Sequence, residues 1–186
     1  MRLRNILILL VILLALGGYF YFFNKPEPVP KLEPTVYVWL IEVDEIKHIE
    51  IELPREGKSQ TFIKISEEGK FPWYFDDLPQ SNVDVERWGG GIPLLLSGPG
   101  ADRVISENTT EEKLAELGLT QPRMVITLTL ENGDVMGIKV GDETPDGHAF
   151  YVQAPNTNAV ALVDYTWYEV LERLVTEPPY APPEED

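Results

Sequence analysis

From Ile6 to Phe23 the chain runs through eighteen consecutive uncharged residues, most of them aliphatic or aromatic. No polar stripe interrupts the run, so it cannot be the amphipathic helix of a water-soluble core, which needs one wet face. About 18–20 apolar residues in a helix match the roughly 30 Å hydrocarbon core of a bilayer. The expectation is a transmembrane helix over 6–23. Arg2 and Arg4 precede it, whereas the far flank sets Lys25 and Lys31 against Glu27 and Glu33. Excess positive charge favours the cytoplasmic side, so residues 1–5 are expected inside and the rest of the chain outside the cytoplasm.

A cleaved signal peptide also begins with basic residues and an apolar stretch, and Ala15-Leu16-Gly17 is a loose match to a cleavage site. The run, however, continues through Tyr19, Phe20, Tyr21, Phe22 and Phe23, an aromatic collar suited to a membrane interface. An uncleaved anchor is the better reading. Gly17 and Gly18 then offer small residues for packing against neighbouring helices in the membrane.

All 31 acidic residues and 13 of the 15 basic ones follow the anchor, a formal charge of −18 on that part. Such a charge repels phosphate backbones and anionic headgroups, which excludes a nucleic-acid partner and can steer a basic soluble one. With no cysteine, thiolate nucleophiles, iron–sulfur ligation and covalent c-type haem attachment are all excluded. With only His48 and His148, a histidine-rich metal site is not expected either. No cofactor and no catalytic or metal-binding residue is assigned.

Residues 24–34 hold Pro26, Pro28, Pro30 and Pro34, a composition that favours extended polyproline II and a stiff linker. Residues 35–107 and 108–176 read as two α+β halves, and 177–186 as an acidic, proline-rich extended tail. Strands are expected over Thr35–Val43, Ile46–Leu53, Thr61–Ile65 and Phe71–Phe75, with a helix within Val83–Leu96 interrupted by Gly89–Gly91 and Pro93. A second helix should be capped by Thr109, with Glu112 as capping-box partner, and end at Gly118. Met124–Leu130 alternates as a strand, Asn132-Gly133 marks a hairpin, and Val135–Val140, Ala149–Val152 and Ala159–Val163 follow as strands. Asp164 can cap a last helix through Leu174. The fold class is α+β: a transmembrane helix followed by an antiparallel-sheet domain that reads as a duplicated β-β-β-α unit.

Leu114-Ala-Glu-Leu-Gly-Leu-Thr-Gln-Pro122, Glu131-Asn-Gly-Asp134, Lys139-Val-Gly-Asp-Glu-Thr-Pro-Asp-Gly147 and Phe150-Tyr-Val152 together resemble the bacterial domain of unknown function 4340. The Arg-flanked first helix ending in Gly-Gly-Tyr-Phe is similar to that family too. Gly118, Gly133, Gly141 and Gly147 are structural punctuation in these motifs. The resemblance implies a membrane-anchored extracytoplasmic accessory component, in some cases beside gliding-motility-type ABC-transporter parts, and brings no catalytic residues.

Sites of chemistry are weakly signalled. Asp142–Gly147 begins like an EF-hand loop, but Gln153 stands where the bidentate glutamate belongs and Pro145 stiffens the turn. Gly89-Gly-Gly and Gly98-Pro-Gly100 lack the Gly-Lys-Ser/Thr of a phosphate loop. The neighbouring carboxylates Asp76/Asp77, Glu111/Glu112 and Glu184/Glu185 show no sign of the split environments that acid–base catalysis needs. The aromatic clusters Trp73, Tyr74, Phe75 and Trp167, Tyr168 read mainly as core and otherwise as anchors of a protein interface. The expected function is a non-catalytic single-pass accessory or scaffold subunit of a larger bacterial membrane complex, either an electron-transfer or a transporter assembly. Its integral-membrane partners would meet both the helix and the acidic domain. The alternative is an extracytoplasmic ligand-binding module serving an ABC-type transporter, with an envelope hydrolase third.

Overall fold

The fold comes from a computed structural model describing residues 3–23, 35–65, 73–88 and 91–182, with side chains of the first helix described over 6–19. Two compact units emerge, residues 1–34 and 35–186. Helix α1 (Leu3–Phe23) makes up the first. Among the described residues no helix is long and apolar enough to cross a membrane; the described side chains of α1 cover fourteen positions, about 21 Å of rise. Arg2, the linker 24–34 and the end of the tail lie outside the described residues.

The second unit is built on an eight-stranded antiparallel sheet. Its strands are β2 (Ile46–Leu53), β3 (Lys58–Lys64), β4 (Trp73–Phe75), β6 (Arg103–Ser106), β7 (Met124–Leu130), β8 (Val135–Glu143), β9 (Ala149–Gln153) and β10 (Val160–Asp164). They stand side by side as β4-β3-β2-β7-β8-β9-β10-β6. Two meanders, β2-β3-β4 and β7-β8-β9-β10, run outward in opposite directions from a central β2–β7 pair. That pair sets Ile49 opposite Leu128 and Ile51 opposite Ile126. Because strand side chains alternate, this register sends Ile49, Ile51, Leu53, Met124, Ile126 and Leu128 to one face, all of them buried.

Onto that face pack three helices, α2 (Val85–Trp88), α3 (Ile92–Ser97) and α5 (Tyr165–Thr176). In α5, Trp167, Tyr168, Leu171, Leu174 and Val175 are buried, the spacing of one helical stripe. Asp164 caps this helix, its carboxylate accepting from the Thr166 N–H at 2.8 Å and from the Thr166 hydroxyl. A smaller apolar cluster lies on the opposite face, where α4 (Glu111–Glu116) and its C-terminal turn bring Leu114, Leu117 and Leu119 against Val160, Ile105 and Tyr151.

Several expectations need correcting. Thr35–Val43 is not one strand: only β1 (Val36–Tyr37) pairs, with β5 (Gly100–Ala101), in a separate two-stranded sheet. Beyond it the chain leaves the ladder because the Trp39 indole N–H donates to the Leu96 carbonyl at 2.8 Å, pinning the segment to the end of α3. The helix expected within Val83–Leu96 is two short pieces, α2 and α3, with 89–90 outside the described residues. The cap of α4 is Thr110, not Thr109: Thr110 Oγ1 accepts from Lys113 N, whereas Thr109 is buried. Strands β5 and β6 were not anticipated at all. Nor is the described part of the tail merely extended: Tyr180 stacks on Phe75 at 4.0 Å and pairs with Val83.

Two expectations follow. Phe62 is fully buried and lies 5.1 Å from Phe75 and 4.6 Å from Trp88 between ring centroids. Phe62→Ala should cost about 3–5 kcal/mol, read as a lower denaturant midpoint at constant slope. Asp164→Ala should cost about 1 kcal/mol through loss of the cap. The hydrogen bonds from Thr166 hold the Asp164 carboxyl below its usual range. Its contribution is therefore present above the unfolded-state value near pH 4 and fades as pH falls through the lower folded value. A pH series of melts on both proteins should show the difference between them vanish in acid.

Candidate functional site

The aromatic residues singled out as interface anchors divide by face. Trp73, Phe75, Trp167 and Tyr168 are buried, and Tyr74 alone of the five is turned to the other side of the sheet, half-buried. Trp73 lies 6.1 Å from Trp88, and Trp167 donates its indole N–H to the Leu95 carbonyl at 3.0 Å. Tyr168 stacks on Phe150 at 4.0 Å and donates to Glu172 at 3.0 Å. Burial, and then that hydrogen bond, push its phenol above the usual range. These rings hold α5 to the sheet and leave no more than their rims to a partner. Of the residues assigned from the sequence to an anchor, Gly17, Gly18 and Tyr19 have described side-chain positions, with open space around a Cβ placed on either glycine. Arg4, Phe20, Tyr21, Phe22 and Phe23 lie in α1 with side chains outside the described set, and Arg2 lies outside it altogether.

Of the carboxylates flagged by the sequence, Asp76, Asp77, Asp142 and Asp146 are engaged in structural bonds, and Glu184 and Glu185 lie outside the described residues. Asp142 Oδ1 accepts from Arg55 Nη1 at 3.0 Å and Arg123 Nε at 3.4 Å. Asp146 closes its own turn, accepting from the Thr144 hydroxyl at 2.6 Å and the His148 N–H at 3.3 Å. The Thr144 bond, first of all, draws the Asp146 carboxyl below its usual range. The loop that starts like a calcium site is thus a turn within the β8–β9 hairpin. Asp77 is tied to Ser81, and Asp76 faces His48 Nε2 at 3.1 Å. Among the described residues no group of three His, Cys, Asp or Glu side chains could hold a metal ion.

An apolar groove of ≈ 580 Å³ is the more suggestive feature. It opens where the second unit begins, at Thr35, and is lined by Tyr37, Leu40, Leu94, Val163 and Trp167. Leu40 and Leu94 are 68% and 63% exposed, values that set them apart from the buried leucines of the core. Leu94 comes from α3, Tyr37 from β1 and Leu40 from the segment that leaves the ladder after it. Gly98 is required here, since a Cβ would sit 2.9 Å from both Leu40 Cδ1 and the Trp39 carbonyl. Sequence reasoning missed the groove because an exposed leucine in an apolar run is indistinguishable from a core one. The Gly98-Pro99-Gly100 turn was the available signal.

The glycines of the repeated motifs are explained by geometry. Gly118 has φ +74°, and Gly141 lies so close to the Leu117 carbonyl that a Cβ would come within 2.2 Å of it. The turn after α4 and strand β8 are thereby locked together, with Asp142 N donating to Leu117 O at 2.9 Å. Gly141→Ala should cost about 1–3 kcal/mol as the backbones part. Gly137→Ala, with open space around its Cβ and no strained φ, should be stabilising by about 0.5–1 kcal/mol. Thermal melts of the two variants give the comparison.

Neither a curated protein nor a solved structure matches this chain. A family model does match, over residues 96–176, from the end of α3 through α5, and this is the stretch whose glycines and turns have just been accounted for. The motifs quoted for the resemblance at Leu114–Pro122, Glu131–Asp134, Lys139–Gly147 and Phe150–Val152 all fall inside it. Residues 96–176 therefore carry the family's domain, described as Domain of unknown function (DUF4340).

Proposed function

We propose that this chain is a single-pass membrane-anchored, non-catalytic accessory subunit whose acidic extracytoplasmic domain docks on the other subunits of its complex. The carrying observation is α1. Its backbone is helical over 21 residues, about 31 Å, and the large hydrophobic side chains from Ile6 to Leu16 are 52–67% exposed all round the helix. A surface of that kind is stable only in lipid or against other apolar helices. The groove at Thr35 fits the same reading. It exposes Leu40 and Leu94 on the surface of the second unit, an apolar patch suited to a protein partner.

We also propose that the domain is the duplicated β-β-β-α unit expected from the sequence, a reading supported by how the two hairpins correspond across the sheet. About the Glu50–Thr127 pair, Ile49, Ile51, Leu53 and Phe62 take the places that Ile126, Leu128, Leu130 and Ile138 hold on the other side.

The chain should stay in the membrane pellet through alkaline carbonate extraction, and the double variant Leu10→Arg, Leu13→Arg should be released. Purified in mild detergent from its own membranes, the wild type should carry integral-membrane subunits at fixed stoichiometry. Leu40→Asp with Leu94→Asp should lose them while keeping the wild-type melting temperature. A partner-free monomer in detergent would sink the accessory-subunit reading.

A further inference from the structure

On the sheet face opposite the main core, strands β8 and β9 and the turn to β10 enclose a second groove of ≈ 600 Å³. Asn108, Gly137, Lys139, Gln153, Asn156 and Asn158 contribute to its walls. Its chemistry departs from that of the rest of the domain. Among the described residues no carboxylate lines this groove; amides dominate, and Lys139 is the one charged group of that lining. Its floor is unusual too. Gly137 sits inside a regular stretch of β8, opposite Thr127, away from the register shift between Val140 and Glu143. A Cβ there would meet nothing within 4 Å. A glycine in a strand interior weakens the strand and commonly marks a place where something approaches the backbone closely. No described part of this chain does so.

The amide of Gln153 is fixed from one side only. Its nitrogen donates to the Thr157 carbonyl at 2.9 Å and to Asn158 Oδ1 at 3.4 Å, which settles the orientation of the side chain. Its oxygen is shielded from solvent and has no hydrogen-bond partner, and the same is true of the Thr109 hydroxyl next to Asn108. Buried acceptors left without a donor are uncommon in folded proteins.

We propose that this groove binds a neutral glycan bearing acetamido groups. An acetamido group offers one N–H and one carbonyl, the complement of an asparagine or glutamine side chain. Sugar hydroxyls both donate and accept, matching Thr157 and the remaining amides. The bare backbone at Gly137 lets a flat pyranose ring lie against the strand. The described lining places no carboxylate directly against a ligand's oxygens, while a single lysine in a strongly acidic domain is too little to hold a polyanion. The proposal stands apart from the accessory-subunit reading and survives or fails without it.

The test uses the full chain in lauryldimethylamine oxide, a detergent without a sugar headgroup, titrated with the β-1,4-linked tetramer of N-acetylglucosamine and, separately, with a galacturonate tetramer. Saturation-transfer NMR and thermophoresis read binding. The neutral tetramer should bind saturably and at least tenfold more tightly than the uronate. Gly137→Val should weaken it at least tenfold while melting at or above the wild-type temperature, since a β-branched residue suits an exposed strand position. Asn108→Ala, at an exposed side chain, should weaken binding three- to tenfold and provides the test if the valine variant folds poorly. Absence of saturable binding up to millimolar tetramer would overturn the proposal. So would undiminished binding in both variants, or preference for the uronate.

Discussion

The pairing of β2 with β7 is the constraint on which the second unit depends. It joins two meanders, distant in sequence, into a single sheet and sets their register together, so Ile49, Ile51, Ile126 and Leu128 share one face. A slip of one residue would turn β2's buried set to solvent and bring His48, Glu50 and Glu52 into the core. The rings of Phe62, Phe75, Trp88, Phe150 and Tyr168 then fill the space between this face and the helices. Tyr180 closes the β4 side from the far end of the chain.

The family motifs support this arrangement without touching any chemistry of their own. Gly118 and Gly141 let the turn after α4 press on β8, and the Arg55–Asp142–Arg123 contacts tie that junction to the β2–β3 turn. The motif region is thus a clamp between the two faces of the sheet. The apolar groove by Thr35 lies away from these motifs, whereas the amide-lined groove by Gly137 takes Lys139 from one of them.

The sequence was most legible where a single period or turn governed several residues. Met124–Leu130 alternates without interruption and is a strand over just those residues; Asn132-Gly133 forms the expected turn; Asp164 caps α5. It was least legible where a local pattern competed with distant contacts. Thr35–Val43 has strand composition, but beyond Tyr37 the hydrogen bond of Trp39 to Leu96, 57 positions away, takes the segment off the ladder. Thr109 and Thr110 offer equivalent caps, and burial of the first leaves the second to do it. Neither groove was legible, because each is lined by residues brought together from separate elements.

By itself, then, the sequence determined the apolar run 6–23, the α+β class, the turns set by glycine and asparagine, and the acidic character of the domain. These follow from short-range sterics, hydrophobic periodicity and charge, all properties of neighbours along the chain. Only the tertiary structure decided that Trp73, Phe75, Trp167 and Tyr168 belong to the core, that Leu40 and Leu94 stay outside it, and that Gly137 is the open floor of a groove. Burial depends on which surfaces meet across the fold, and the composition of a segment does not contain that information.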